Sequence, residues 1–273
     1  MSIRTVAIGL YGLYVCLFAP VAAHAQFAAT PFSDPATGEL YHVEAAAALW
    51  NPPPNFEIQS ESLGVLGSTI NAVTDLGIQQ KRVSELRFVL RPGRKHKFRI
   101  NYLPMSYNDA VSTVHRSFVF NGLRYGVNLP VTTNLSWKTW LLGYEYDFLY
   151  RDRWFVGFVA QAKLTDIQVD LQAPIGTEFA RAQAPIPNLG GIARFYVVPN
   201  ISITGEMVGL KLPNIDDRYQ AHYFDFDLYG TVNFNDFVGA QIGYRRLDMG
   251  YVFEEDRGDF EAKGIYFGGV VRY

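Results

Sequence analysis

Cysteine is almost missing from this chain. Its 273 residues include one, Cys16, inside an apolar run near the start. Everything after it therefore lacks both a disulfide and a thiol site, which suits passage through an oxidising compartment. Histidine is scarce, with five in all, and at no spacing that would hold a metal. No glycine-rich phosphate loop opens a helix, and no cofactor is expected. No sign of charge dominates. The 24 Lys plus Arg oppose 26 Asp plus Glu, for a net charge of −2, and nothing in that balance suggests nucleic acid. After residue 25 there is no run of about 18 apolar residues, so no helix could span a bilayer. If this chain enters a membrane, it must do so with strands.

Aromatic residues are abundant: 17 Tyr and 20 Phe bring the aromatic share to 15%. Many fall in segments that alternate with period two. In Phe224 to Phe234 one face carries Phe224, Phe226, Leu228, Gly230 and Val232, and the other Asp225, Asp227, Tyr229, Thr231 and Asn233. In Trp140 to Tyr150 the aromatic face opposes Glu145 and Asp147. Leu86, Phe88 and Leu90 oppose Glu85, Arg87 and Arg91, and Phe98, Ile100 and Tyr102 oppose Arg99 and Asn101. Ten such segments can be traced, at about 40–50, 80–91, 97–107, 136–150, 154–171, 185–198, 201–212, 221–234, 237–252 and 258–273. Most exceed the roughly 9–11 residues that a tilted strand needs to cross hydrocarbon. Short turns (92–95, 151–153, 199–200, 235–236) alternate with longer links (51–79, 108–135, 172–184, 213–220, 253–257). That rhythm predicts short turns at one end of a strand array and longer loops at the other, as in a membrane-spanning barrel.

Two end signals agree with this reading. Residues 1–25 read as a secretory leader: Arg4, an apolar run from Val6 to Val21, and an Ala23-His24-Ala25 cleavage site. Residues 26–273 then form one domain. At the other end, Ile265, Phe267, Gly269 and Val271 alternate towards a terminal Tyr273. A bare apolar edge would invite aggregation in a soluble domain, whereas a closed barrel has no edge.

From the Ala23-x-Ala25 site to Tyr273, the chain resembles small outer-membrane β-barrel proteins of Gram-negative bacteria, the porin-like superfamily that includes the outer-membrane protein A transmembrane domain. The resemblance implies an all-β, transmembrane, antiparallel up-and-down barrel of about ten strands. Eight strands would match the archetype, and twelve would result if the hairpin in 108–135 also inserts. It further implies residence in the outer membrane among lipid and lipopolysaccharide. Insertion would be by the outer-membrane assembly machinery, with Ile265, Phe267, Val271 and Tyr273 as the assembly signal.

With apolar faces towards lipid, the polar faces meet inside. The expected lumen set is Glu85, Arg87, Arg91, Arg99, Glu145, Asp147, Lys163, Arg194, Glu206, Asp225, Asp227 and Arg245. Its equal numbers of acids and bases suggest ion pairing rather than the one-signed ring of a selective channel. A structural envelope barrel or small passive pore is the leading function, and no catalysis is expected. The alternative is binding or adhesion through outer loops 51–79 and 108–135, with unknown protein partners. A distant third is an outer-membrane hydrolase using Asp216, Asp217 and His222, or His115 beside Ser117.

Finer expectations concern loops and rims. Ser68 to Leu76 reads as a surface loop, with a short capped helix as the other option. Asn121-Gly122 marks the turn of a hairpin standing above the membrane. Tyr41, Trp50, Tyr150, Trp154, Tyr196 and Tyr251 would form interfacial girdles. Arg116, Lys211, Arg218 and Arg246 would meet lipopolysaccharide phosphates.

Overall fold

A computed structural model describes residues 36–53, 55–59, 67–215, 219–253 and 256–273. The expected leader and Asp216, Asp217 and Arg218 lie outside them. Fourteen strands run in order: β1 (Val43–Trp50), β2 (Asn55–Gln59), β3 (Ile70–Asn71), β4 (Val83–Gly93), β5 (His96–Thr113), β6 (Phe118–Phe120), β7 (Leu123–Tyr125), β8 (Pro130–Arg151), β9 (Trp154–Ala173), β10 (Gly176–Val198), β11 (Ile201–Ile215), β12 (Tyr219–Asn233), β13 (Val238–Phe253) and β14 (Asp256–Arg272).

Ten of these strands close on themselves. The order β1-β4-β5-β8-β9-β10-β11-β12-β13-β14 is completed by pairing of β1 with β14, from Glu44↔Arg272 to Trp50↔Tyr266. Every pairing is antiparallel, so each strand finds both partners and no edge is left for another chain to extend. Above Trp50 the path is broken at Pro52 and Pro53, because proline offers no N–H to a ladder. β2 then resumes on β14 with Phe56 opposite Phe260.

Large apolar side chains cover the outside of the barrel. Leu189 and Phe267 are each 61% exposed, whereas Asp147, pointing the other way, is fully buried. A girdle of this extent could not face water. Inside the girdle lies charge, and beyond its upper end the arrangement reverses. On β8 the outward set runs through Phe148, Tyr146, Leu142 and Trp140, then becomes Lys138, Ser136 and Asn134. The buried set turns from Asp147 and Glu145 to Trp137, Leu135 and Val131. Strands that project above the membrane meet water outside, so their apolar side chains turn inward as in a soluble protein.

Several expectations need correction. Links 172–184, 213–220 and 253–257 are not long loops: strand continues through most of each, and β9 passes to β10 over Pro174 and Ile175 alone. Residues 68–76 form neither a helix nor a surface loop. Ile70, Ala72 and Leu76 are fully buried in the mouth of the barrel, and the chain there makes a turn held by bonds such as Asp75 N–H to the Asn71 carbonyl. The Asn121-Gly122 hairpin exists as β6–β7, with positive φ at both turn residues. It does not stand clear of the barrel, because Phe118, Phe120 and Tyr125 pack into the same apolar cap. Of the six girdle aromatics, Trp154 alone points to lipid. Tyr41, Trp50 and Tyr196 are buried, Tyr150 stacks on Phe155, and Tyr251 shares the inward face of β13 with Leu247 and Met249.

Candidate functional site

The charged lumen forms because ten strands each turn alternate residues towards one axis. A charge placed in a low-dielectric wall must find an opposite partner, and here each does so across the barrel or along it.

The lowest layer is built around a residue that precedes the first strand. Ala36–His42 crosses the periplasmic mouth as a strap. Thr37 N–H donates to the Pro199 carbonyl at 2.7 Å, Asn233 Nδ2 donates to the Thr37 carbonyl at 2.7 Å, and Gly38 N–H donates to Asp236 Oδ1 at 2.8 Å. Gly38 has φ of 77°, and a Cβ there would lie 2.8 Å from Arg272 Nη1, so the turn admits glycine alone without strain. The strap directs Glu39 upward between Arg194 at 3.1 Å and Arg91 at 3.4 Å, while Tyr196 OH donates to it at 2.8 Å. Burial alone would raise the Glu39 carboxyl, but Arg194, Lys97 and Arg91 together hold it below the usual carboxylate value. Nearby, Arg272 binds Glu44 at 2.5 Å and Asn233 at 2.7 Å.

In the middle layer Lys97 Nζ lies 2.6 Å from Glu145 and 2.9 Å from Asp147. Arg99 joins Glu206 at 2.6 Å and Glu145 at 3.5 Å. Above it, Arg245 clamps Asp225 at 2.7 Å and Glu85 at 2.9 Å, while Lys163 reaches Asp225 at 2.5 Å and also bonds Tyr223. Arg87 lies 3.5 Å from Asp227, which accepts a 2.9 Å bond from Tyr266 OH. The guanidinium of Arg87 rests over the Tyr229 and Tyr266 rings at 5.5 and 5.3 Å.

All twelve lumen candidates thus take part in ion pairs within the barrel. Glu39, Glu44, Lys97 and Arg272 do so as well. Lys97 shares the parity of Arg99 and was open to the same reading. Glu44 and Arg272 share the inward parity of their strands. Glu39 carries no such signal, because it sits on no strand.

Among the described residues, small voids lie within this layer. Voids of about 30, 20 and 10 Å³ are lined mainly by charged and polar side chains, each room for one or two waters. The larger recess, about 270 Å³, opens at the periplasmic mouth against Glu39, Tyr41, His42 and Arg91. Over the charges sits the apolar cap, where Trp137 meets Phe260 with ring centroids 3.9 Å apart.

Of the groups considered for hydrolysis, Asp216 and Asp217 lie outside the described residues. His222 pairs with Asp248, 3.0 Å away on β13. Both share the outward parity of Phe224 and Tyr244, so they face away from the lumen. His115 and Ser117 are exposed. Among the described residues no group of His, Cys, Asp and Glu is arranged to hold a metal.

A closed ten-stranded barrel, apolar outside and ionic within, defines a transmembrane β-barrel of the outer-membrane type. No family model and no curated protein matches the chain. Among solved structures, the outer membrane protease OmpT from Escherichia coli superposes with a TM-score of 0.57 at 8% identity, covering 85% of this chain and 96% of that one. That likeness is one of fold. The toluene transporter TodX of P. putida (TM-score 0.36, 9% identity, 88% of this chain and 93% of that one) overlays too loosely to bear on the fold. So does Ail, the attachment invasion locus protein of Yersinia pestis (0.32, 8%, 82% and 97%).

Proposed function

We propose that this protein is a non-conducting structural barrel of the Gram-negative outer membrane, with its lumen filled at rest. One observation carries the reading: three fillings are stacked along the axis. The Glu39 strap covers the lower mouth, a balanced ion-pair lattice fills the middle, and the apolar cap of β2, β3, β6 and β7 closes the top. A passive pore needs a continuous wet path, and an ion-selective one favours a single sign of charge along it. Paired charges and small voids support rigidity instead. In planar bilayers the purified protein should give no regular conductance steps, and reproducible steps in the wild type would overturn the proposal.

The likeness to OmpT brings proteolysis forward as the competing reading. His222 would be the base and Asp248 the carboxylate that orients it. Their outward position, beside Arg246 and in line with lipid-facing side chains, favours an interfacial ion pair. Cleavage of a peptide library by the wild type, lost on His222→Ala, would establish the enzyme and displace the structural reading.

A further inference from the structure

The apolar girdle is not the same height all round. On four strands of one side it is tall. It runs from Leu149 to Trp140 on β8, Trp154 to Leu164 on β9, Val197 to Pro185 on β10, and Phe234 to Phe224 at β12, while on β11 between them it runs from Ile201 to Gly209, below the exposed Lys211. On five adjoining strands of the other side it stops early. There it covers Val238–Tyr244 on β13, Val271–Ile265 on β14, Val43–Leu49 on β1, Leu90–Leu86 on β4 and Phe98–Pro104 on β5. A strand rising ~3.3 Å per residue at a tilt of ~40° gains about 2.5 Å of height per residue. The four tall strands therefore offer about 22–30 Å, close to the usual outer-membrane band of about 25 Å, and the short side about 10–20 Å.

Tilting the whole barrel cannot reconcile the two sides. A tilt would lower both edges of the girdle on one side and raise both on the other, yet apolar side chains reach the periplasmic strand ends on both: Tyr273, Val271 and Phe237 on the short side, Trp154 and Val197 on the tall. On β13 and β14 the difference therefore lies in the upper edge, while on β5 the girdle also starts two residues inside the strand, at Phe98 above the exposed His96.

Above the girdle on the short side, the outward-pointing side chains are ionic. Arg246 and Lys263, with side chains 46% and 49% exposed, sit where the tall side still carries hydrocarbon-facing groups. Arg246 bonds Asp248 at 3.1 Å and Glu261 at 3.2 Å, and Lys263 bonds Glu261 at 3.1 Å. Leu189 on β10 and Lys263 on β14 each lie nine residues from the periplasmic end of their strand. Away from water such charges are costly in hydrocarbon, and a short apolar stretch is met by thinning of the bilayer.

We propose that the β13–β14–β1–β4–β5 face draws the outer-leaflet headgroups down the barrel wall, so that a locally thinned membrane meets this side and a full-thickness one the other. The occupant of the face is lipid headgroup, because its upper row offers ions and hydrogen-bonding groups where a protein-covered surface would offer apolar contact. The inference rests on the membrane-barrel reading above, but conductance does not bear on it and depth does.

The test uses the full chain with Cys16→Ser, which leaves no other cysteine, refolded into dioleoylphosphatidylcholine vesicles. A nitroxide is attached at Lys263→Cys or at Leu189→Cys. The ratio of nickel-chelate to oxygen accessibility should be several-fold higher at 263 than at 189. Equal ratios at the two sites would overturn the proposal. So would a label at 263 shielded from both reagents, which would mean that protein covers the face. In parallel, Arg246→Leu, Asp248→Leu, Glu261→Leu and Lys263→Leu are combined to extend the short girdle. The combined variant should shift the preferred lipid chain length upward, and an unchanged preference overturns the thinning. If that variant fails to fold, the two labels still decide.

Discussion

At the scale of single residues, the lumen turns on pairing. Asp225 holds both Arg245 and Lys163, so Asp225→Ala leaves two buried cations facing each other. Removing one member of a buried ion pair costs about 3–5 kcal/mol, and urea unfolding of the vesicle-bound barrel should show a loss of that size. Asp166, paired with Arg181 at 2.7 Å in the open, serves as the control. Its change to Ala should not move the midpoint measurably, because exposed pairs contribute little. A second residue-scale case is steric. A Cβ on Gly243 would lie 2.6 Å from Tyr266 Cζ, so the glycine is the recess into which that ring fits. Gly243→Ala should push the ring off Asp227 and destabilise the barrel by about 1–3 kcal/mol, as overpacking does. Tyr266→Phe, which keeps the ring and loses only the hydroxyl, should cost less.

At the scale of elements, two segments close the molecule. β14 pairs with β13 along its length and with β1 through seven registered positions. Deleting Phe267 to Tyr273 would strip β1 of most of that partner and open the barrel. Such a truncation should fail to reach the outer membrane, and normal surface levels would count against Ile265, Phe267, Val271 and Tyr273 acting as an assembly signal. The strap is the other segment. Glu39 is charged more readily in place than in an unfolded chain, because its cationic neighbours outweigh burial. Its stabilising contribution is therefore complete above the unfolded carboxylate value of about 4.3 and lost as pH falls through the lower folded value. Proteolysis of the N-terminal segment should stay slow from pH 7 to 5 and quicken only in stronger acid. Glu39→Gln should make it fast at every pH.

At the scale of the whole molecule, the barrel joins two kinds of protein. Its lower part is inverted, with hydrocarbon outside and ions within. Its upper part is an ordinary aqueous β structure with Leu135, Trp137, Val169 and Leu171 at its centre. The two meet where the apolar phase changes side, near Trp140 on β8 and Leu164 on β9. Removing the cap hairpin, residues 118–125, should therefore leave the membrane part folded, with its heat-resistant migration in detergent gels. It should also expose apolar surface at the top, seen as new binding of a hydrophobic dye.

Much of this was written in the order of residues, because period two in a strand sends neighbours to opposite faces whatever the fold. That rule alone produced the ten segments and a charge set in which Glu85, Arg87, Glu145, Asp227 and their fellows share one face of their strands; closure of the last strand on the first followed from its apolar ending at Tyr273 and from the resemblance to outer-membrane barrels. It could not supply Glu39, which owes its place to a strap bonded to turns about 160 and 200 residues away. Nor could it tell that Tyr41 and Tyr196 line the lumen floor and that Trp50 joins the apolar cap, since an aromatic ring suits these settings as well as a membrane rim. Which charge pairs with which, and that the cap folds down instead of standing free, was decided by the closed wall. Only a curved sheet brings β4 opposite β13 and β9 opposite β12, and only the packed interior fixes how much room remains between them.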